Sequence, residues 1–292
     1  MARIREVGPS RKLSAEFDSV PEVFRAIDKL GWVPQRGKES DSQGNSGGFY
    51  TFKSLAEAIE TFRHHPERIR GFSMKTDRLE VPDTPGKDVS YDVTGDYLDV
   101  DRFLEGIPEV FGNAVMGNPK TIFATINVLG SFVSYTDKNY VLHKQKRILR
   151  LVDWLESQGI RCQLIVSDDS EVAYISTIVK EFSDPFDVNH VAVAMHPDWL
   201  RRVEFLIMEQ SKTWQHGYGS AIEYDKRMLA YEPKPEDGLY IYVGGYIPHK
   251  NHSLDALDAD FDRIEQSVTQ MIADGMTFNE KPLVSAGGTL KW

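Results

Sequence analysis

The run TIFATINVLG, residues 121–130, limits the available folds more than any other stretch of this chain. It is apolar, rich in β-branched residues and shows no alternation. That is the pattern of a strand buried on both faces, as in a parallel sheet covered by helices. The segments after it keep the same grammar. NYVLHKQKRILRLVDWLESQG (139–159) spaces Val141, Ile148, Leu151, Val152 and Leu155 on one helical side, and Gly159 closes it. RCQLIVSDD is the next strand, and AYISTIVKEF is expected beside it as an antiparallel neighbour. DVNHVAVAMHPDWLRRVEFLIMEQ (187–210) reads as two helices broken at Pro197. DGLYIYVGGY (237–246) is another buried strand. SLDALDADFDRIEQSVTQMIADG (253–275) is a long helix between Ser253 and Gly275. Strands that alternate with helices in this way give a doubly wound, mostly parallel sheet.

Upstream of residue 120 the grammar is different. Residues 1–15 are basic and polar and read as an arm. PEVFRAIDKLGW (21–32) has helical spacing at Val23, Phe24, Ile27 and Leu30. The polar, Gly/Ser-rich stretch 35–48 lacks apolar anchors and reads as a mobile loop. In FYTFKSLAEAIETFRHHPERIRGF (49–72), Ser54 and Glu57 form a capping box ahead of an apolar face at Leu55, Ala58, Ile59 and Phe62. YDVTGDYLDVDRFLEGIPEVF (91–111) predicts a strand, a turn at Gly95 and a helix capped by Asp99. The expected organisation is therefore an arm, helix and loop over 1–48, a small α+β region over 49–119, and an α/β domain over 120–292.

Charge and cysteine content narrow the function. The chain has 34 Lys and Arg against 44 Asp and Glu, a net −10, so broad binding to phosphate backbones is not expected. Its one cysteine, Cys162, forms no intrachain disulfide and sits in the apolar IRCQLIV as a small buried hydrophobe. No apolar run reaches membrane-span length, and MARIREVGPSRKL lacks a signal-peptide core. A cytoplasmic protein without membrane contact is expected.

With its antiparallel strand after the second core strand, the order from residue 120 resembles a von Willebrand factor A-like domain. In that family an Asp-x-Ser-x-Ser motif after the first strand holds a divalent cation, and a later Asp-Gly completes the site. In INVLGSFVS, Asn127 stands for the Asp, Leu129 for the first Ser and Ser131 for the second. Gly244 in YIYVGGY stands for the later Asp. The resemblance thus implies a degenerate site of Asn127 and Ser131, with Asp168 and Asp169 near enough along the next strand to assist. Two lost carboxylates leave at most weak magnesium or calcium binding, and no cofactor is expected. YTFKSLAEAIE, YDVTGDYLDVDRFLEGIPE, INVLGS with LRLVDWLESQG, and AMHPDWLRR also resemble an uncharacterised family met in bacteriophages and plasmids.

Other candidates are weaker. Asp92, Asp96, Asp99 and Asp101 lack the spacing of a helix–loop–helix calcium loop. His249 and His252 follow a strand end, where α/β sheets bind ligands. Trp214, Tyr218, Tyr224 and Tyr231 lie among glycines and polar residues in a long connection, and aromatics of that kind are enriched at protein interfaces. No GxxxxGK[ST], GxSxG, HExxH or CxxC pattern occurs. The expected function is therefore a non-enzymatic interaction or assembly protein of a phage or mobile element, acting on a protein partner or on itself. A metal-dependent hydrolase using Asp168, Asp169, His249 and His252 is the first alternative, and a virion structural component the second.

Overall fold

A computed structural model describes residues 2–7, 12–34, 52–69, 89–92, 97–107, 111–114, 122–130, 138–170, 173–184, 187–211, 239–243, 254–273 and 283–286. The first half of the chain contributes β1 (Arg3–Val7), β2 (Lys12–Phe17), α1 (Val20–Leu30), α2 (Leu55–His64), β3 (Val89–Asp92), β4 (Tyr97–Leu98), α3 (Val100–Leu104) and β5 (Phe111–Ala114). There follow β6 (Ile122–Leu129), α4 (Lys138–Ser157), β7 (Ile160–Asp169), β8 (Ala173–Lys180), α5 (Val188–Ala194), a π-helical turn at Trp199–Glu204, α6 (Phe205–Glu209), β9 (Leu239–Val243), α7 (Leu254–Ala273) and β10 (Leu283–Ala286).

The large sheet has seven strands in the order β1-β2-β8-β7-β6-β9-β10. From β7 through β6 and β9 to β10 every pairing is parallel. β8 runs antiparallel to β7, as expected, while β2 pairs parallel with β8 and β1 antiparallel with β2. The chain is thus a mixed α/β protein built on a mostly parallel sheet. β3, β5 and β4 make a separate antiparallel sheet of three strands.

Residues 3–7 and 12–17 correct the reading of an N-terminal arm, because they are strands of the main sheet. Leu13, Ala15 and Phe17 are buried with period two while Lys12 and Glu16 lie outside the core. That short alternation is masked in the sequence by the basic residues around it. The main sheet therefore draws on both ends of the chain. β5 and β10 were likewise not anticipated, each being only four residues long.

Helix boundaries follow local chemistry. Ser19 Oγ accepts from the N–H of Glu22 at the start of α1, and Gly31, at φ 62°, ends it in the left-handed region. Ser54 Oγ accepts from the N–H of Glu57 at 3.2 Å, and the Glu57 carboxylate accepts from that of Lys53 at 2.9 Å, a capping box reaching one residue further back than expected. Asp99 Oδ1 accepts from the N–H of Arg102, which confirms its capping role.

Two groups of helices bury the sheet. α7 sends Leu257, Phe261, Ile264 and Val268 inward at helical spacing. Between α4 and α7, Arg147 donates to Asp262 at 2.7 Å and lies over the Phe261 ring, and His143 Nε2 meets Asp258 at 2.7 Å. On the β2–β8 side, Phe24, Phe52, Phe62, His196 and Trp199 interlock mostly edge to face, with centroids 5.4–5.9 Å apart.

Candidate functional site

The parallel strands β6 and β7 end together, and the C-terminal ends of such strands are where open α/β sheets set their ligand sites. Three strands meet there through side chains. Asn127 Nδ2 donates to the hydroxyl of Tyr240 at 2.9 Å, and Ser167 Oγ donates to Asn127 Oδ1 at 2.6 Å. All three residues are buried. The Asn127 amide therefore bonds at both ends, to β7 on one side and β9 on the other.

Just beyond, the ends of β6 and β7 gather charge. Lys144, on the inward stripe of α4, is fully buried and its Nζ donates to the Leu129 carbonyl at 2.8 Å. Burial pushes its pKa down to about 7, against the opposing pull of the Asp168 charge. Asp168 is itself buried, and its Oδ2 lies so close to Gly130 that a Cβ there would sit 2.6 Å away. Any side chain at this position would force the Asp168 carboxylate to shift.

Glu204 completes the group from the π-helical turn. Its Oε1 accepts from Trp199 Nε1 at 3.1 Å, and its carboxyl lies within the field of the Asp168 charge. Burial, and then the Asp168 charge, hold its pKa well above the usual carboxylate range. The wider turn of a π-helix is commonly found at functional sites, and here Trp199, Arg202, Val203 and Glu204 are all buried.

A second polar group secures the same turn. Asp198 donates its backbone N–H to His196 Nδ1 at 3.1 Å. Its carboxylate accepts from the N–H of Phe52 at 3.3 Å, and Arg202 Nη2 donates to the Phe52 carbonyl at 2.8 Å. The segment before α2 is thereby tied to the turn that carries Glu204.

A family model described as Domain of unknown function (DUF7192) matches residues 3–272. The chain belongs to this family. The DUF7192 match begins at the first residue of β1 and ends inside α7, so it takes in the N-terminal strands together with the charged cluster. No curated protein and no solved structure matches the chain. Among the described residues, no helix of this DUF7192 protein is long and apolar enough to cross a membrane.

Of the metal-site candidates, Asn127 lies near the end of β6 and Asp168 near the end of β7, while Ser131 and Gly244 fall outside the described residues. The backbone of Asp169 ends β7, and its side chain is not described. Among the described residues no group of three or more His, Cys, Asp or Glu side chains is gathered for a metal. His249, His252, Trp214, Tyr218, Tyr224 and Tyr231 lie outside the described residues, as do the 35–48 loop, Asp96, Ser253 and Gly275; the side chains of Asp92 and Asp101 are not described.

Lys144 and Glu204 were missed by sequence reasoning. Lys144 had a signal: it lies between Val141 and Ile148 at helical spacing, a cation on an otherwise apolar stripe. Glu204 lies between Val203 and Phe205 in an apolar run, yet nothing local pairs it with Asp168.

Proposed function

We propose that this protein works by binding other proteins through a von Willebrand factor A-like scaffold in which the Lys144 ammonium takes the role of the metal ion. The observation that carries this reading is the Lys144 ammonium bonded to the Leu129 carbonyl, with the Asp168 charge acting on it. A divalent cation in an A-like domain draws together the end of the first strand and a neighbouring carboxylate. Below its pKa of about 7, an internal ammonium supplies positive charge to the same elements without an exchangeable ion. The strand order β8-β7-β6-β9-β10, with β8 reversed, agrees with this scaffold.

The polar groups at the strand ends are also turned towards one another. Asn127, Ser167 and Tyr240 bond among themselves, Trp199 donates to Glu204, and all five are buried. Buried polar groups satisfied in this way hold a unique fold. They are poorly placed to reach a substrate, which favours binding over catalysis. On this reading the partner is a protein of the host or mobile element, or a second copy of the chain.

The test is purification of the tagged protein from its native cells, with the mass of the eluted species measured by light scattering. A stoichiometric protein partner or a defined homo-oligomer is expected. A bare monomer that hydrolyses ester or phosphate substrates only when a divalent ion is added would overturn the reading.

A further inference from the structure

The edge of the main sheet opposite β10 is formed by β1, and among the described residues nothing pairs with its outer side. A groove of about 590 Å³ runs between this strand and α1. That volume lies within the ~300–1,000 Å³ typical of ligand pockets. Ile4 and Leu13 form one wall, while Ala26, Leu30 and Trp32 form the other. Leu30 is half exposed at its mouth, at 50%. Arg25 and Lys29, exposed on α1, line the same groove, with Glu22 as the one acidic side chain among its lining residues.

We infer that this groove and the outer edge of β1 form a docking site for an extended, acidic–apolar segment of a partner protein, which adds a strand to the sheet beside β1. The inference rests on the protein-binding reading above and names the surface and the chemistry of the partner. An edge strand offers a row of backbone donors and acceptors to an incoming strand, and side-chain pockets beside it set specificity. Successive side chains of an added strand point to opposite faces. On the face that Ile4 shares with Glu6 they enter the groove, apolar at Ile4 and charged at Glu6. On the other face they meet Arg3 and Arg5, whose side chains are 64% and 66% exposed even while paired with Glu16. Opposite charges across a strand pair stabilise it and like charges do the reverse. The arriving strand is therefore apolar on one face and acidic on the other, and the Arg25–Lys29 rim adds to its attraction.

A second copy of β1 fits this edge poorly. An antiparallel copy centred on Arg5 sets Arg5 against Arg5, and one centred on Ile4 sets Arg3 against Arg5. The charge pattern selects a different chain.

The test is fluorescence anisotropy on the full chain with a labelled ten-residue peptide alternating Glu and Val. A peptide alternating Lys and Val, and a Glu–Val peptide N-methylated at every second residue, serve as controls. Leu30→Glu and the pair Arg25→Gln and Lys29→Gln alter exposed side chains, and unchanged melting curves would show that these variants fold. The expected result is saturable binding of the Glu–Val peptide alone. It should weaken at least tenfold in Leu30→Glu and in the double variant, and N-methylation should remove it. No binding to the wild-type protein, or equal affinity in the variants, overturns the assignment. Because the probe is synthetic, that failure is separate from failure of the protein-binding reading. A native partner that co-purifies equally with wild type and Leu30→Glu would sink this groove and leave the broader reading standing.

Discussion

The Nζ of Lys144 donates to the carbonyl oxygen of Leu129 at 2.8 Å, so an ammonium carried by α4 ends the central strand β6. A buried cation is costly; the Leu129 carbonyl and the Asp168 charge offset part of that cost, and burial still carries the pKa down to about 7. Lys144→Met keeps the stem and removes the donor to the Leu129 carbonyl. A loss of about 1–3 kcal/mol is expected, the cost of a buried polar group left unsatisfied. Adding Asp168→Asn should recover part of it. Urea unfolding of the two single variants and the double variant measures both effects. A change below about 0.5 kcal/mol in Lys144→Met, the range of ordinary surface substitutions, would refute the role given to this ammonium.

The same lysine gives the protein a pH signature. Its pKa is about 7 when folded against an ordinary 10.5, so between these values the unfolded chain binds the proton more tightly. The stability contributed by Lys144 is therefore present above 10.5 and is lost as pH falls through about 7. Glu204 acts with the opposite sign. Its raised pKa gives stability that is full below 4.5 and lost as pH rises through the folded value. Wild type should gain on Lys144→Met between pH 7 and 10, and Glu204→Gln should flatten the decline that begins above 4.5. Unfolding free energies measured across pH for the three proteins decide this; parallel curves contradict it.

Gly130 is fixed by its neighbour. A Cβ would come 2.6 Å from Asp168 Oδ2 and 3.0 Å from Val166 Cγ1, and both of those side chains are buried. Gly130→Ala should cost about 2 kcal/mol through overpacking. A drop in Tm of several degrees is the expected reading, and an unchanged Tm would show that Asp168 moves aside freely.

Across the three strands, Tyr240→Phe removes the acceptor for Asn127 Nδ2. An unsatisfied buried donor costs about 1–3 kcal/mol. Asn127→Ala should cost more than Tyr240→Phe, because it removes both hydrogen bonds instead of one. Chemical denaturation of the two variants ranks them, and the reverse order would contradict the network.

How much of this was legible in the sequence depended on how far apart the partners lie. The β6 run, the apolar stripe of α4 and the caps at Ser54 and Asp99 are local patterns, and the structure keeps them. β1 and β2 were read as an arm because their alternation spans few residues, and the pairing of β2 with β8 joins segments about 160 residues apart. At the site, Asn127 and Asp168 stood out through their strand-end positions. Lys144 needed the helical stripe to be read for its exception rather than its rule. Glu204 reaches Asp168 only through the π-helical turn, whose extra residue per turn no propensity foretells.

The most direct test of the central claim is the melting temperature of the wild-type protein with magnesium or calcium chloride, set against sodium chloride of matched ionic strength. With the Lys144 ammonium in the cation's role, the account predicts the same Tm in all three salts. A saturable rise with either divalent ion, abolished by Asp168→Asn, would contradict it and return the sheet end to a metal-binding role.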